Sequence, residues 1–135
     1  MKKKIFTMLS LIIILLLGGC TSTINPTLKG SYQTEKDVNG YFIEISIQQQ
    51  ESSFVEYINN REVDRGIYED SKNNVYKMKG EKKIFEITLN AANSFEIIIK
   101  KLNNGKPIQM KNTDDTPTYF STNLGEVDKY KALLD

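Results

Sequence analysis

The amino-acid sequence predicts an all-β fold: a small antiparallel meander of about eight strands, closed as a barrel or flattened barrel, with a short C-terminal helix. Three observations predict it. Turn-forming residues recur roughly every 10 to 12 positions, at Asn39-Gly40, Gln50-Glu51-Ser52, Asn59-Asn60, Lys72-Asn73-Asn74, Gly80-Glu81, Ala92-Asn93 and Asn103-Asn104-Gly105. Between these turns apolar and polar residues alternate with the period of two of a half-buried strand. Near the C-terminus the apolar spacing changes to i, i+3 and i+7.

The strands are expected at 28–36, 41–48, 53–59, 62–70, 74–79, 83–90, 94–102 and 106–112. The first runs up to Asn39-Gly40, a pair that accepts the positive φ of a tight hairpin turn. In the second, Tyr41, Ile43, Ile45 and Ile47 share one face and Glu44, Ser46 and Gln48 the other. The third and fourth are bounded by Ser52, Asn59-Asn60 and Lys72-Asn73-Asn74. In the sixth, Phe85, Ile87 and Leu89 alternate with Glu86 and Thr88. In the seventh, Phe95, Ile97 and Ile99 alternate with Glu96, Ile98 and Lys100. Eight strands in up-and-down order can close on themselves and remove both edges. Phe42, Ile84 and Ile98 fall on the polar faces, where the helix, a second layer or a partner protein could cover them.

After the loop Thr113–Pro117, Tyr119 and Phe120 suggest a short extended segment. Asn123 with Glu126 three residues on has the form of a capping box. Val127, Tyr130 and Leu134 then place one apolar stripe on a helix over 124–134, packed on the barrel or across one end.

The leader carries a separate message. Lys2, Lys3 and Lys4 precede Ile5–Leu17, a run of 13 residues broken only by Thr7 and Ser10. That run is shorter than the roughly 20 residues of a membrane span, and it fits a signal-peptide core. It ends in Leu17-Gly18-Gly19-Cys20, and this combination resembles the leader of bacterial lipoproteins. The resemblance implies cleavage between Gly19 and Cys20, and a diacylglycerol and further acylation on Cys20. It also implies anchoring in the cell membrane, facing outside the cytoplasm. The expected organisation is then a removed signal peptide (1–19), a lipidated Cys20 with a polar tether (20–27) and one β domain (28–135). Lys outnumbers Arg by 16 to 2, a bias common among AT-rich Gram-positive genomes.

Cleavage would leave 135 less 19, or 116, residues; losing three Lys changes 18 basic against 17 acidic residues into 15 against 17. A chain of this size buries roughly two-thirds of its unfolded surface, enough for one core. The slightly acidic balance excludes the basic footprint of a nucleic-acid binder. There is no His, so imidazole metal ligands and His-dependent triads are excluded. The single Cys excludes an internal disulfide and a Cys-rich zinc site. Gly30-Ser31-Tyr32 is similar to the Gly-x-Trp start of lipocalin-like barrels, with Tyr32 in place of Trp. That resemblance implies an aromatic plug at one end and, in principle, an interior site.

Candidate chemistry is sparse, and no catalytic or metal site and no cofactor is expected. Glu44, Glu56, Glu69, Glu86 and Glu96 alternate with apolar residues and read as the solvated face of a sheet. Asp114-Asp115 lacks the further oxygen ligands that a hard cation needs. Arg65 shares a face with Val63 and Ile67 under strict alternation. It could point inward and hold a ligand carboxylate, or outward and pair with a neighbouring Glu. Gly66 marks a bulge or a close approach. Tyr41, Tyr57 and Tyr68 could line a contact patch or edge the core. The expected role is therefore non-enzymatic: an anchored lipoprotein whose β domain binds an envelope protein or other envelope component. The alternative is a lipocalin-like carrier of a small apolar or acidic ligand.

Overall fold

The computed structural model describes residues 26–118 and 122–135. The leader with Gly19 and Cys20, the tether as far as residue 25, and Tyr119 and Phe120 lie outside the described residues. The strands are β1 (Gly30–Gln33), β2 (Ile43–Gln48), β3 (Ser53–Ile58), β4 (Arg61–Asp70), β5 (Val75–Gly80), β6 (Ile84–Thr88), β7 (Ser94–Ile97) and β8 (Ile108–Asp114). They form one antiparallel sheet in the order β6-β5-β4-β3-β2-β1-β8-β7. The expected meander is present, and β8 returns to β1 to make a nearly closed barrel.

The turns explain why the strands fall where they do. Asn39 and Gly40 have φ of 54° and 82°, and Asn59 and Asn60 have 48° and 64°. Two successive positive φ values match the twist of a hairpin's strands, and Asn and Gly reach them at low cost. Ile58 accordingly pairs with Arg61, and Val38 bridges to Tyr41.

Inward side chains fill the barrel. Ile43, Ile45 and Ile47 of β2, Phe54 and Ile58 of β3, Met78, Ile87, Phe95, Ile97, Ile108 and Met110 are buried together in one cluster. At the end where the chain enters, Leu28 and Tyr32 close it. The Tyr32 ring lies 4.7 Å from Phe95, and its hydroxyl donates to Asn93 Oδ1 at 3.0 Å. Burial pushes the Tyr32 phenol up to about 12.

The opposite end is closed by α1 (Val127–Lys131) and a 3₁₀ turn over Ala132–Leu134. Tyr130, Leu133 and Leu134 pack against the core, and Arg61 lies 4.3 Å over the Tyr130 ring. The helix is shorter than expected and has no capping box. Asn123 Oδ1 instead accepts from the Gly125 N–H at 2.8 Å, and Glu126 takes the N-cap position with φ 60° and no side-chain cap. The reason is local competition. Asn123 N–H donates to Asn60 O, and Arg61 Nε donates to Gly125 O, so this stretch is committed to the β3–β4 turn before a helix can start.

The seam between β6 and β7 is where closure is incomplete: no ladder joins them. Leu89 N–H donates to Asn74 O, and Gly80 N–H to Lys83 O, which fixes the alternation of β6. The backbone groups of Ile84, Glu86 and Thr88 therefore face the seam. Beyond Ile97 the chain turns away, with Asn103 N–H donating to Asn39 Oδ1, so β7 is shorter than the expected 94–102. The C-terminal residues span the gap. Lys82 pairs with Asp135 at 2.5 Å, and Lys101 Nζ donates to Ala132 O at 2.8 Å.

Candidate functional site

Two features of β4 decide where its charged residues lie. First, the pairing with β3 slips between Glu56 and Tyr57: Glu56 faces Asp64, Tyr57 faces Glu62, and Val63 is the extra residue of a bulge. Val63 and Asp64 both turn inward, so the alternation changes phase and Arg65 and Ile67 turn outward. The expected common face of Val63, Arg65 and Ile67 is corrected accordingly: Val63 is buried, while Arg65 and Ile67 are exposed. Second, Gly66 and Gly80 stand opposite one another. A side chain at Gly66 would meet Lys79 O at 1.9 Å, and one at Gly80 would meet the Asp64 carboxylate at 2.1 Å. Gly66 therefore marks a close approach, and Gly80 makes room for Asp64.

Arg65 faces outward beside Glu62, with Nε donating to Glu62 Oε1 at 2.9 Å and the second guanidinium nitrogen bonding the same oxygen. It helps line an open cleft of about 400 Å³ on the outer face of β2, β3 and β4. Val55 and Ile67 form an apolar floor beside Ser46, Gln48 and Ser53. Pro117 stands at one side, Glu81 at the other and Glu51 at the β2–β3 turn. Ile67 keeps 53% of its surface exposed.

The tyrosines do not converge there. Tyr41 meets Tyr130 edge-on at 5.9 Å under the helix. Tyr68 is half-buried against Tyr76, also at 5.9 Å, and burial raises its phenol. Tyr57 lies on the outer face of β3 and is buried. Only Arg65 of the four belongs to the cleft.

Two acids expected on the solvated face are buried, which corrects that expectation for Glu44 and Glu56. Glu56 faces Ile45 across the β2–β3 pair, between Phe54 and Ile58. It is fully buried, and neither carboxylate oxygen has a hydrogen-bond partner. Burial lifts it to about 7, opposed by Lys83 and reinforced by Asp64. Glu44 lies on the outer face, where burial also lifts it to about 7 against the pull of Gln33 and Ser46. Glu69, Glu86 and Glu96 are exposed as expected.

Asp64 is the third buried acid. Its carboxylate accepts from three backbone N–H groups: Arg65 at 2.9 Å, Lys82 at 2.8 Å and Lys83 at 3.2 Å. It thereby caps the β5–β6 turn. Nothing in the alternation of β4 announces this inward acid, because the bulge that turns it inward has no sequence signature of its own. Asp114 accepts from the Thr116 N–H and hydroxyl, and Asp115 lies 3.6 Å from Lys29. No family model, curated protein or solved structure matches the chain.

Proposed function

We propose that this chain is a lipid-anchored, non-enzymatic protein of the cell envelope whose barrel binds a protein partner or other envelope component at the outer cleft. The cleft with its exposed Ile67 is the observation that carries the binding reading. It is a concave apolar floor with polar walls, set outside a barrel already filled by its own side chains. A carrier of a small apolar or acidic ligand would need an interior cavity and an inward cation. The interior positions are occupied, and Arg65 faces outward.

The anchoring half of the reading rests on the leader ending in Gly19-Cys20. A lipid on Cys20 would hold the barrel through a tether of at most about 25 Å before Leu28. Two measurements test the reading. Cys20→Ala should release the protein from the membrane fraction, and retention there would overturn the anchor. A photo-crosslinking residue at Ile67 should give a discrete adduct in intact cells that the same residue at exposed Gln109 does not. Identical adducts from both positions, or none from Ile67, would overturn the binding site.

A further inference from the structure

The charge around the outer cleft points to its partner's chemistry. Resting on the reading above, we propose that the cleft takes a protein segment in which an apolar side chain is flanked by lysine or arginine.

The floor offers Val55 and Ile67 to an apolar group. The rim offers two carboxylates from separate turns, Glu51 between β2 and β3 and Glu81 between β5 and β6. Among the described residues neither carboxylate has a hydrogen-bond or ion-pair partner. The cation that lines the cleft, Arg65, is already held by Glu62. Lys79, the residue paired across from Ile67, is held by Glu69 at 2.6 Å. Arg65 and Lys79 are thus each paired with an acid, which leaves Glu51 as the rim charge farthest from a cation, while Glu81 stands near Arg65, Lys82 and Lys131. An acidic segment would meet a neutralised guanidinium and two opposing carboxylates. A basic segment would meet the Glu51 and Glu81 carboxylates on the rim of the same cleft, an attraction that physiological salt screens beyond about 8 Å. The apolar side chain supplies most of the contact, and the flanking cations set orientation and encounter rate. A second copy of this chain would bring its own Glu51 and Glu81 against these, which disfavours self-association at this face.

The test uses the full chain in detergent, with backbone amide resonances as the readout and two blocked pentapeptides as probes. The basic probe is Lys-Leu-Lys-Val-Lys and the acidic one Glu-Leu-Glu-Val-Glu. The basic probe should shift the amides of Val55, Arg65, Ile67 and Glu81 saturably, and tenfold more salt should weaken it several-fold. The double variant Glu51→Lys/Glu81→Lys should weaken it at least tenfold with amide dispersion unchanged, since both side chains are exposed. Ile67→Ser should weaken it without reversing the preference for the basic probe. If the acidic probe binds the cleft as tightly, the partner chemistry is overturned while the cleft stands as a binding site. If neither probe reaches the cleft, this proposal also fails, and the crosslink from Ile67 decides the broader reading separately.

Discussion

The wall made of β1 to β4 and the wall made of β5 to β7 follow the same alternation, yet they are finished differently. On the first wall the outer face is covered at β1 and β2 and left open at β3 and β4, where the cleft lies. All of Ile43–Ile47 is buried, and the chain leaving β8 lies against the outer face of β1 and β2 at Ser31 and Ser46. Thr118 N–H donates to Ser31 Oγ at 2.8 Å, and Ser46 Oγ donates to Thr118 O at 2.6 Å. On the second wall only the inner face is covered. Ile84 and Ile98 keep 66% and 58% of their surface exposed on either side of the seam. The difference teaches that an outward residue's polarity does not decide its burial here. Polar Ser46 is enclosed while two isoleucines stand in solvent, because the route of one connecting segment decides which face is covered.

Asp64 joins the two walls, so its removal should have the largest effect. It belongs to β4, and its carboxylate holds the N–H groups of Lys82 and Lys83 in the β5–β6 turn. Asp64→Ala leaves three partly buried N–H donors without their acceptor, each costing up to about 1–3 kcal/mol. We expect a loss of at least ~3 kcal/mol in urea unfolding, together with faster amide exchange at Lys82 and Lys83. A loss below ~1 kcal/mol would show that the turn holds itself.

Glu56 faces Asp64 across the β3–β4 pair but accepts no hydrogen bond, so it should behave in the opposite sense. Its folded value of about 7 lies above the ordinary 4.5. Between these two values the folded protein keeps a proton that the unfolded chain gives up. Stability therefore falls as pH rises through that window and is flat above it, a change of about 3 kcal/mol. Glu56→Met should remove this slope, so the variant gains stability at pH 8 and gains least below pH 4.5. Glu44 titrates in the same window from the outer face, so the parent's slope is fully flattened only when Glu44→Gln is added. Thermal unfolding from pH 4 to 8 checks this, and a Glu56→Met variant destabilised equally at every pH would refute it.

The sequence makes the strand order, the turns and the inner face legible because these depend on local rules. Asn and Gly at positive φ place the hairpins, and Ile43, Ile45, Ile47, Phe95 and Ile97 mark the core by alternation. Three other features are set by contacts distant in sequence and leave no local trace. The bulge at Val63 depends on how β3 and β4 settle their register, and it alone moves Asp64 in and Arg65 out. The burial of Ser31 and Ser46 depends on Thr116 and Thr118 reaching β1 and β2. The late start of α1 depends on Arg61 and Asn60 reaching Gly125 and Asn123. The outer cleft follows from the first two, so of its residues only Arg65 and Gly66 carry a sequence reading, and the alternation alone leaves Arg65 open to either face.

The smallest effects should separate the walls most cleanly. Ser46→Ala removes a bond made beneath the crossing segment and should cost about 1 kcal/mol. Its sign would be accelerated amide exchange at Thr118, whose carbonyl the Ser46 hydroxyl holds. Ile84→Thr and Ile98→Thr replace large apolar side chains, which by residue type alone suggests a greater cost than trimming a serine. Their exposure makes the opposite expectation: changes within about 0.5 kcal/mol, as for surface sites. Ile87→Ala, on the inner face of the same strand β6, should cost roughly 2–5 kcal/mol. If Ile84→Thr approached the cost of Ile87→Ala, the outer face of β6 would be covered in solution, and the contrast between the walls would fail at its seam. If Ser46→Ala were neutral while Ile84→Thr was also neutral, the crossing segment would be resting on the first wall without stabilising it.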